Sequence, residues 1–127
     1  MIGYVDDSGR AILPIEIIGG QGKANLAIDV WVDTGFIGDL VVPQSLIDQL
    51  EFPISGSVDG ILADGSETVL KTYHCQIKWF GRDRDLEVIA NNGEFPLLGV
   101  GLLLARELRV DYTNLSVSLI PSAKKLS

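Results

Sequence analysis

The sequence predicts an all-β domain, a closed β-barrel with one or two short helices and a protruding hairpin. Three observations carry this. Glycine is 14 of 127 residues, about one and a half times its usual ~7% share, and it falls between short β-branched runs. The stretch 25–32 (NLAIDVWV) alternates Leu26, Ile28, Val30 and Val32 against Asn25, Ala27, Asp29 and Trp31, the two-residue period of a half-buried strand. Turn signals recur between the apolar runs at strand-length spacing.

The elements follow in order. Residues 6–9 (DDSG) form a turn, and 11–18 (AILPIEII) a strand. Gly19, Gly20 and Gly22 make the next reversal, and 25–32 returns as a second strand. Residues 40–42 are a short apolar strand. Segment 43–50 (PQSLIDQL) opens with Pro and spaces Leu46, Ile47 and Leu50 helically, which predicts a short helix. Residues 58–80 read as a long hairpin: 61–63 leads in, Asp64-Gly65 is a two-residue turn, and 68–77 leads out. Residues 86–90 are a further strand, closed by an Asn-Asn-Gly turn at 91–93. Leu97-Leu98-Gly99 leads into 100–107, predicted as a two-turn helix. Residues 108–112 and 115–120 pair around Thr113-Asn114. One domain is expected over 1–120, with a polar tail at 121–127.

Composition removes several functions. There are 10 basic and 17 acidic residues, a net charge of -7, which disfavours nucleic-acid partners and offers no polybasic patch to an anionic membrane. The longest apolar run, 97–105, contains two glycines and is about half a ~20-residue membrane span. The first ten residues have no basic segment followed by an apolar stretch, so a cytoplasmic location is expected. One Cys and one His permit no internal disulfide and no Cys/His zinc site. Cys75 and His74 are sequence neighbours and point to opposite faces of a strand, so they form no dyad. No metal and no cofactor is expected. Chemistry must rest on carboxylates or hydroxyls.

Other motifs fail on spacing. Gly19–Lys23 lacks the upstream Gly and the following Ser/Thr of a phosphate loop, with Ala24 after the Lys. Gly99-Val100-Gly101 is too short for a dinucleotide fingerprint. The remaining candidate is Asp33-Thr34-Gly35. A carboxylate just past a buried strand lies at the rim of the core, a hydroxyl can bond there, and glycine allows a tight reversal.

The context of that tripeptide, VDTGFIGDLVVP, then a helix, then a hairpin with ADGS at its tip, then PLLGVGLL, resembles the retropepsin-like aspartic proteases. The resemblance covers roughly residues 10–120. It implies that Asp33 is catalytic, with Thr34 and Gly35 completing the turn. It implies a flap at the 58–73 hairpin, with Leu62, Ala63, Asp64 and Gly65 at its tip contacting substrate beside Phe36. It also implies a polypeptide substrate. Hydrolysis in this class needs two carboxylates sharing a proton and a water, and the chain has one Asp-Thr-Gly. The resemblance therefore implies a homodimer with Asp33 of each copy at the axis. Four features depart from the pattern. The hairpin carries only Gly60 and Gly65, where a glycine-rich flap is usual. Phe36 stands where a small residue is usual, and is expected to narrow the pocket. Gly101 stands where Asp or Asn is common. Interleaving terminal strands are not recognisable. An inactive retropepsin-fold module that binds peptides or dimerises, and a plain β-barrel in which Asp33 only turns the chain, are the alternatives.

Overall fold

The computed structural model describes residues 1–61, 64–93 and 95–122. The chain runs β1 (Ile2–Val5), β2 (Ala11–Ile17), β3 (Leu26–Val32), β4 (Leu40–Pro43), α1 (Gln44–Leu50), β5 (Ile54–Ile61), β6 (Glu67–Trp79), β7 (Arg82–Asn91), β8 (Leu97–Leu98), α2 (Val100–Leu103), β9 (Arg106–Asp111) and β10 (Ser116–Pro121). The strands make one sheet in the order β5-β6-β7-β4-β8-β3-β2-β1-β10-β9, with β6 also pairing β2. That extra pairing, Glu16 to Lys78 and Ile17 to Ile77, joins β2, β3, β8, β4, β7 and β6 into a closed circuit. The first half of β2 pairs β1 along Ala11 and Ile12, so β1, β10 and β9 continue the sheet past the circuit.

Alternation builds the core. Leu13, Ile15 and Ile17 of β2 face inward, as do Val30 and Val32 of β3, Cys75, Ile77 and Trp79 of β6, and Leu86 and Val88 of β7. Glu16, Asp29, His74, Gln76 and Glu87, at the alternate positions of the same strands, are exposed. Burying such a side chain is worth about 1.5–3 kcal/mol, so a one-residue register slip would expose the whole set. Two pairings are parallel, β3 with β8 and β4 with β7. β8 thus sits between β3 and β4, the strands that flank the Asp33 turn.

The strands at 11–18, 25–32 and 40–42 fall where expected, within one or two residues. Pro43 precedes the first helical residue of α1 as its cap, with φ of -59°. Four expectations need correction. The long hairpin starts at Ile54, and its last pair is Ile61 with Glu67. With Ile61 opposite Glu67 the register differs by one residue from that of a two-residue Asp64-Gly65 turn; Leu62 and Ala63 lie outside the described residues. β7 begins at Arg82, because Phe80 and Gly81, with φ of 51° and 80°, reverse the chain directly after Trp79. The helix expected over 100–107 ends at Leu103. Ala105 adopts φ of 63°, and Arg106 onward gains more from pairing with β10 than from a further helical turn. Finally, Pro121 belongs to β10, opposite Arg106; residues 123–127 lie outside the described set. No helix among the described residues is long and apolar enough to cross a membrane.

Candidate active site

Strand β3 delivers Asp33 to the rim of the core. Val32 is buried, Asp33 half-buried, and Thr34 and Gly35 are exposed. Three hydrogen bonds fix the turn. The Asp33 N–H donates to the Leu98 carbonyl at 2.8 Å and the Phe36 N–H to the Asp33 carbonyl at 3.2 Å. The Gly35 N–H donates to Asp33 Oδ1 at 2.9 Å. The carboxylate is held by backbone, with one lobe committed and the other available.

Leu97-Leu98-Gly99 lies under this turn. Val100 N–H donates to the Phe36 carbonyl at 2.7 Å, Gly99 N–H to the Asp39 carbonyl at 2.9 Å, and Gly101 N–H to the Ile37 and Gly38 carbonyls at 3.0 Å each. The approach is close enough to require glycine. A Cβ on Gly99 would meet the Gly38 carbonyl oxygen and lie 2.5 Å from Phe36 Cδ2. A Cβ on Gly38 would lie 2.5 Å from Phe36 Cζ. These two glycines seat the Phe36 ring. The ring is half-buried and forms one wall of a cavity of about 240 Å³. Gly38 and Asp39 share that wall, and Val58, Thr72, Glu87 and Ile89 of β5–β7 face them.

Asp39 was not singled out in the sequence, and Gly101 only as a departure from the resembled pattern. A Cβ on Gly101 would run into Asp39 Oδ1. The acid that the resemblance leads one to expect at 101 is absent, and the Asp39 carboxylate occupies the space beside Gly101. The two positions are 62 residues apart, so only the glycine at 101 together with an acid at 39 could have signalled the exchange.

Asp64 and Gly65 lie at the exposed tip of the β5–β6 hairpin. Asp64 Oδ1 accepts the Ser66 hydroxyl at 2.6 Å and the Ser66 N–H at 2.9 Å; these bonds, the hydroxyl first, lower its pKa. Gly65 takes φ of 85°. Leu62 and Ala63, also expected at this tip, lie outside the described residues. Elsewhere, Cys75 is buried and His74 exposed, on opposite faces. Burial pushes the thiol up to about 12, with Asp39 and Asp85 adding to the shift. His74 Nε2 lies 3.3 Å from Asp85 Oδ1. Among the described residues no group of three or more His, Cys, Asp or Glu side chains could hold a metal ion.

The chain matches no protein-family model and, by sequence, no curated protein. Its architecture does match solved structures. A retropepsin-like aspartic protease from Rickettsia conorii superposes with a TM-score of 0.64 over 94% of this chain and 88% of its own, at 16% identity. The fold is retropepsin-like. The solution structure of simian foamy virus (mac) protease is also similar, with a TM-score of 0.52 over 72% of this chain and 90% of its own, at 23% identity. Within this retropepsin-like fold, Asp33-Thr34-Gly35 caps β3 and Leu97-Leu98-Gly99 braces it from below. The β5–β6 hairpin projects from the edge of the sheet.

Proposed function

We propose that the protein is an aspartic endopeptidase whose active site forms between two copies of the chain, each giving Asp33. The single observation that carries this is the Asp33 turn: a half-buried carboxylate that accepts the Gly35 N–H, on a residue whose own N–H donates to the Leu98 carbonyl, at the end of a core strand in a retropepsin-like fold.

Two such carboxylates in one pocket cannot both ionise, so one keeps a proton. The ionised member takes a proton from water as the oxygen attacks the peptide carbonyl. The protonated member donates a hydrogen bond to the carbonyl oxygen, where negative charge develops. On collapse the nitrogen leaves with a proton from the pair. Thr34 supports the turn beside the acid. The β5–β6 hairpin serves as the flap, with Asp64 and Gly65 at its tip. An extended peptide would dock beneath it by strand-like hydrogen bonds with alternating side-chain pockets, one of them walled by Phe36.

Asp33→Asn tests the reading. The substitution removes both ionisable groups of the dimer at once and keeps the size of the side chain. Cleavage of casein or a peptide library should fall below detection while circular dichroism stays that of the wild type. Full cleavage by the folded variant would overturn it. A wild type that binds the library without cutting it would instead make the chain a peptide-binding module.

A further inference from the structure

The chain has four asparagines, and one of them differs from the rest in its surroundings. Asn25 is engaged through both ends of its amide: Oδ1 accepts the Gly19 N–H at 3.0 Å and Nδ2 donates to Glu16 Oε2 at 3.1 Å. Asn114 Nδ2 donates to Asp111 Oδ2 at 2.8 Å. Asn91, the last residue of β7, is half-buried, and its Nδ2 donates to the Phe95 carbonyl at 3.4 Å. Asn92 is exposed, and its amide has no hydrogen-bond partner among the described residues.

The residue that follows completes the difference. Asn25 and Asn114 each precede a leucine and Asn91 precedes Asn92, whereas Asn92 precedes Gly93. Gly93 is exposed, takes φ of 83°, and has only open space where a Cβ would stand. Its N–H has no acceptor among the described residues. The backbone nitrogen after an asparagine is a nucleophile one ring closure away from the side-chain amide. A side chain on the following residue crowds that closure, and a hydrogen-bonded N–H withholds the nitrogen. Gly93 presents neither obstacle, and glycine bends the backbone toward the ring at least cost.

We propose that Asn92 is a site of spontaneous covalent modification, at which the folded chain deamidates itself through Gly93. The Gly93 nitrogen gives its proton to hydroxide and attacks Cγ of Asn92. The new N–C bond closes a cyclic imide, and the side-chain nitrogen leaves as ammonia with a proton from water. A second water then opens the imide. Opening at Cγ gives aspartate; opening at the main-chain carbonyl gives isoaspartate, with the backbone running through Cγ. The net change consumes one water and releases one ammonia. The two Asp-Gly pairs are poorer sites for the same closure, because an ionised carboxylate is a weaker electrophile than an amide. Asp59-Gly60 is also held in the β5–β6 ladder opposite Val69 and Thr68, and Asp64 Oδ1 already accepts the Ser66 N–H and hydroxyl.

The location gives the change a structural consequence. Gly93 lines a cavity of about 340 Å³ with Arg10, Trp31, Phe95 and Leu97, and the Trp31 N–H donates to the Pro96 carbonyl at 2.8 Å. Either product adds a negative charge to the loop that walls this cavity opposite the Arg10 guanidinium. Isoaspartate also lengthens the main chain there by one carbon.

Peptide mapping of the full chain, incubated folded at mildly alkaline pH, tests the proposal. Trypsin leaves the asparagines on three peptides, residues 24–71, 85–106 and 110–124. Peptide 85–106 should gain the mass of an amide-to-acid exchange and split into an aspartate and an isoaspartate form, the second labelled by an isoaspartyl methyltransferase. Fragmentation should place the change at Asn92, and incubation in heavy-oxygen water should add one heavy oxygen there. The other two peptides should stay unchanged. Asn92→Gln should lose the conversion, since its longer side chain closes a less favourable ring, while circular dichroism stays that of the wild type. A folded chain that keeps Asn92 intact would overturn the proposal, whether or not the chain unfolded in urea converts. Conversion at Asn91 instead, or to the same extent at Asn25 and Asn114, would overturn it as well.

Discussion

At the residue scale, glycines and carboxylates divide the labour around the candidate site. Gly99 faces backbone: its missing Cβ makes room for the Gly38 carbonyl and the Phe36 ring. Gly101 faces the end of a side chain, Asp39 Oδ1, which can swing aside. Gly99→Ala should therefore destabilise the fold by about 1–3 kcal/mol, as overpacking does, and Gly101→Ala by less. Adding Phe36→Ala to Gly99→Ala should rescue only part of the loss, since the carbonyl remains. Urea unfolding of the three variants checks the ranking. Asp6 acts in the turn between β1 and β2. Its carboxylate accepts the Arg10 N–H at 2.9 Å and the Ser8 N–H at 3.0 Å, and pairs with the Arg10 guanidinium at 2.7 Å. The Arg10 N–H leads the causes that hold its pKa below the ordinary value of 3.8. A lowered folded pKa gives stability that is present above the unfolded pKa and lost as pH falls through the folded one. Asp6→Asn should lower the melting temperature at pH 6, and the gap to wild type should close as pH drops below about 4. The Asp33 motif was legible in the sequence because its residues are contiguous. The Asp39–Gly101 exchange was not, because it exists only once β8 is inserted beside β4.

At the element scale, legibility followed periodicity. β3 was readable from four alternating apolar residues with no competing pattern. α2 was misjudged because Leu102-Leu103-Leu104-Ala105 has good helix formers. The strand after it wins because Leu108 and Val110 reach the core and β10 supplies a ladder. The β6–β7 turn was missed because Phe80 is a poor sign of positive φ. There the burden falls on Gly81, at φ of 80° with open space where a Cβ would stand. Gly81→Ala should cost about 1 kcal/mol from backbone conformation alone, and Gly81→Asn less. Thermal unfolding of the pair would separate conformation from packing, since a Cβ at this position meets no neighbour.

At the scale of the whole molecule, half a proposed site per chain makes activity depend on concentration. Specific activity should fall when the protein is diluted below its dimer dissociation constant. Excess Asp33→Asn should poison the wild type by forming mixed dimers. A net charge of -7 per chain opposes association, so moderate salt should help by screening beyond ~8–10 Å. Activity titrated beside sedimentation tests this; full specific activity in a wholly monomeric sample would exclude a shared site. The parallel pairing of β3 with β8 has a consequence in time as well as in space. The amide of Asp33 is satisfied by the carbonyl of Leu98, and the floor of its turn is Gly99. A ribosome must add another 66 residues after Asp33 before that floor exists. Until then the nascent chain has the aspartate but not the Gly99 floor beneath it, so the proposed site cannot assemble before residue 99 has been made.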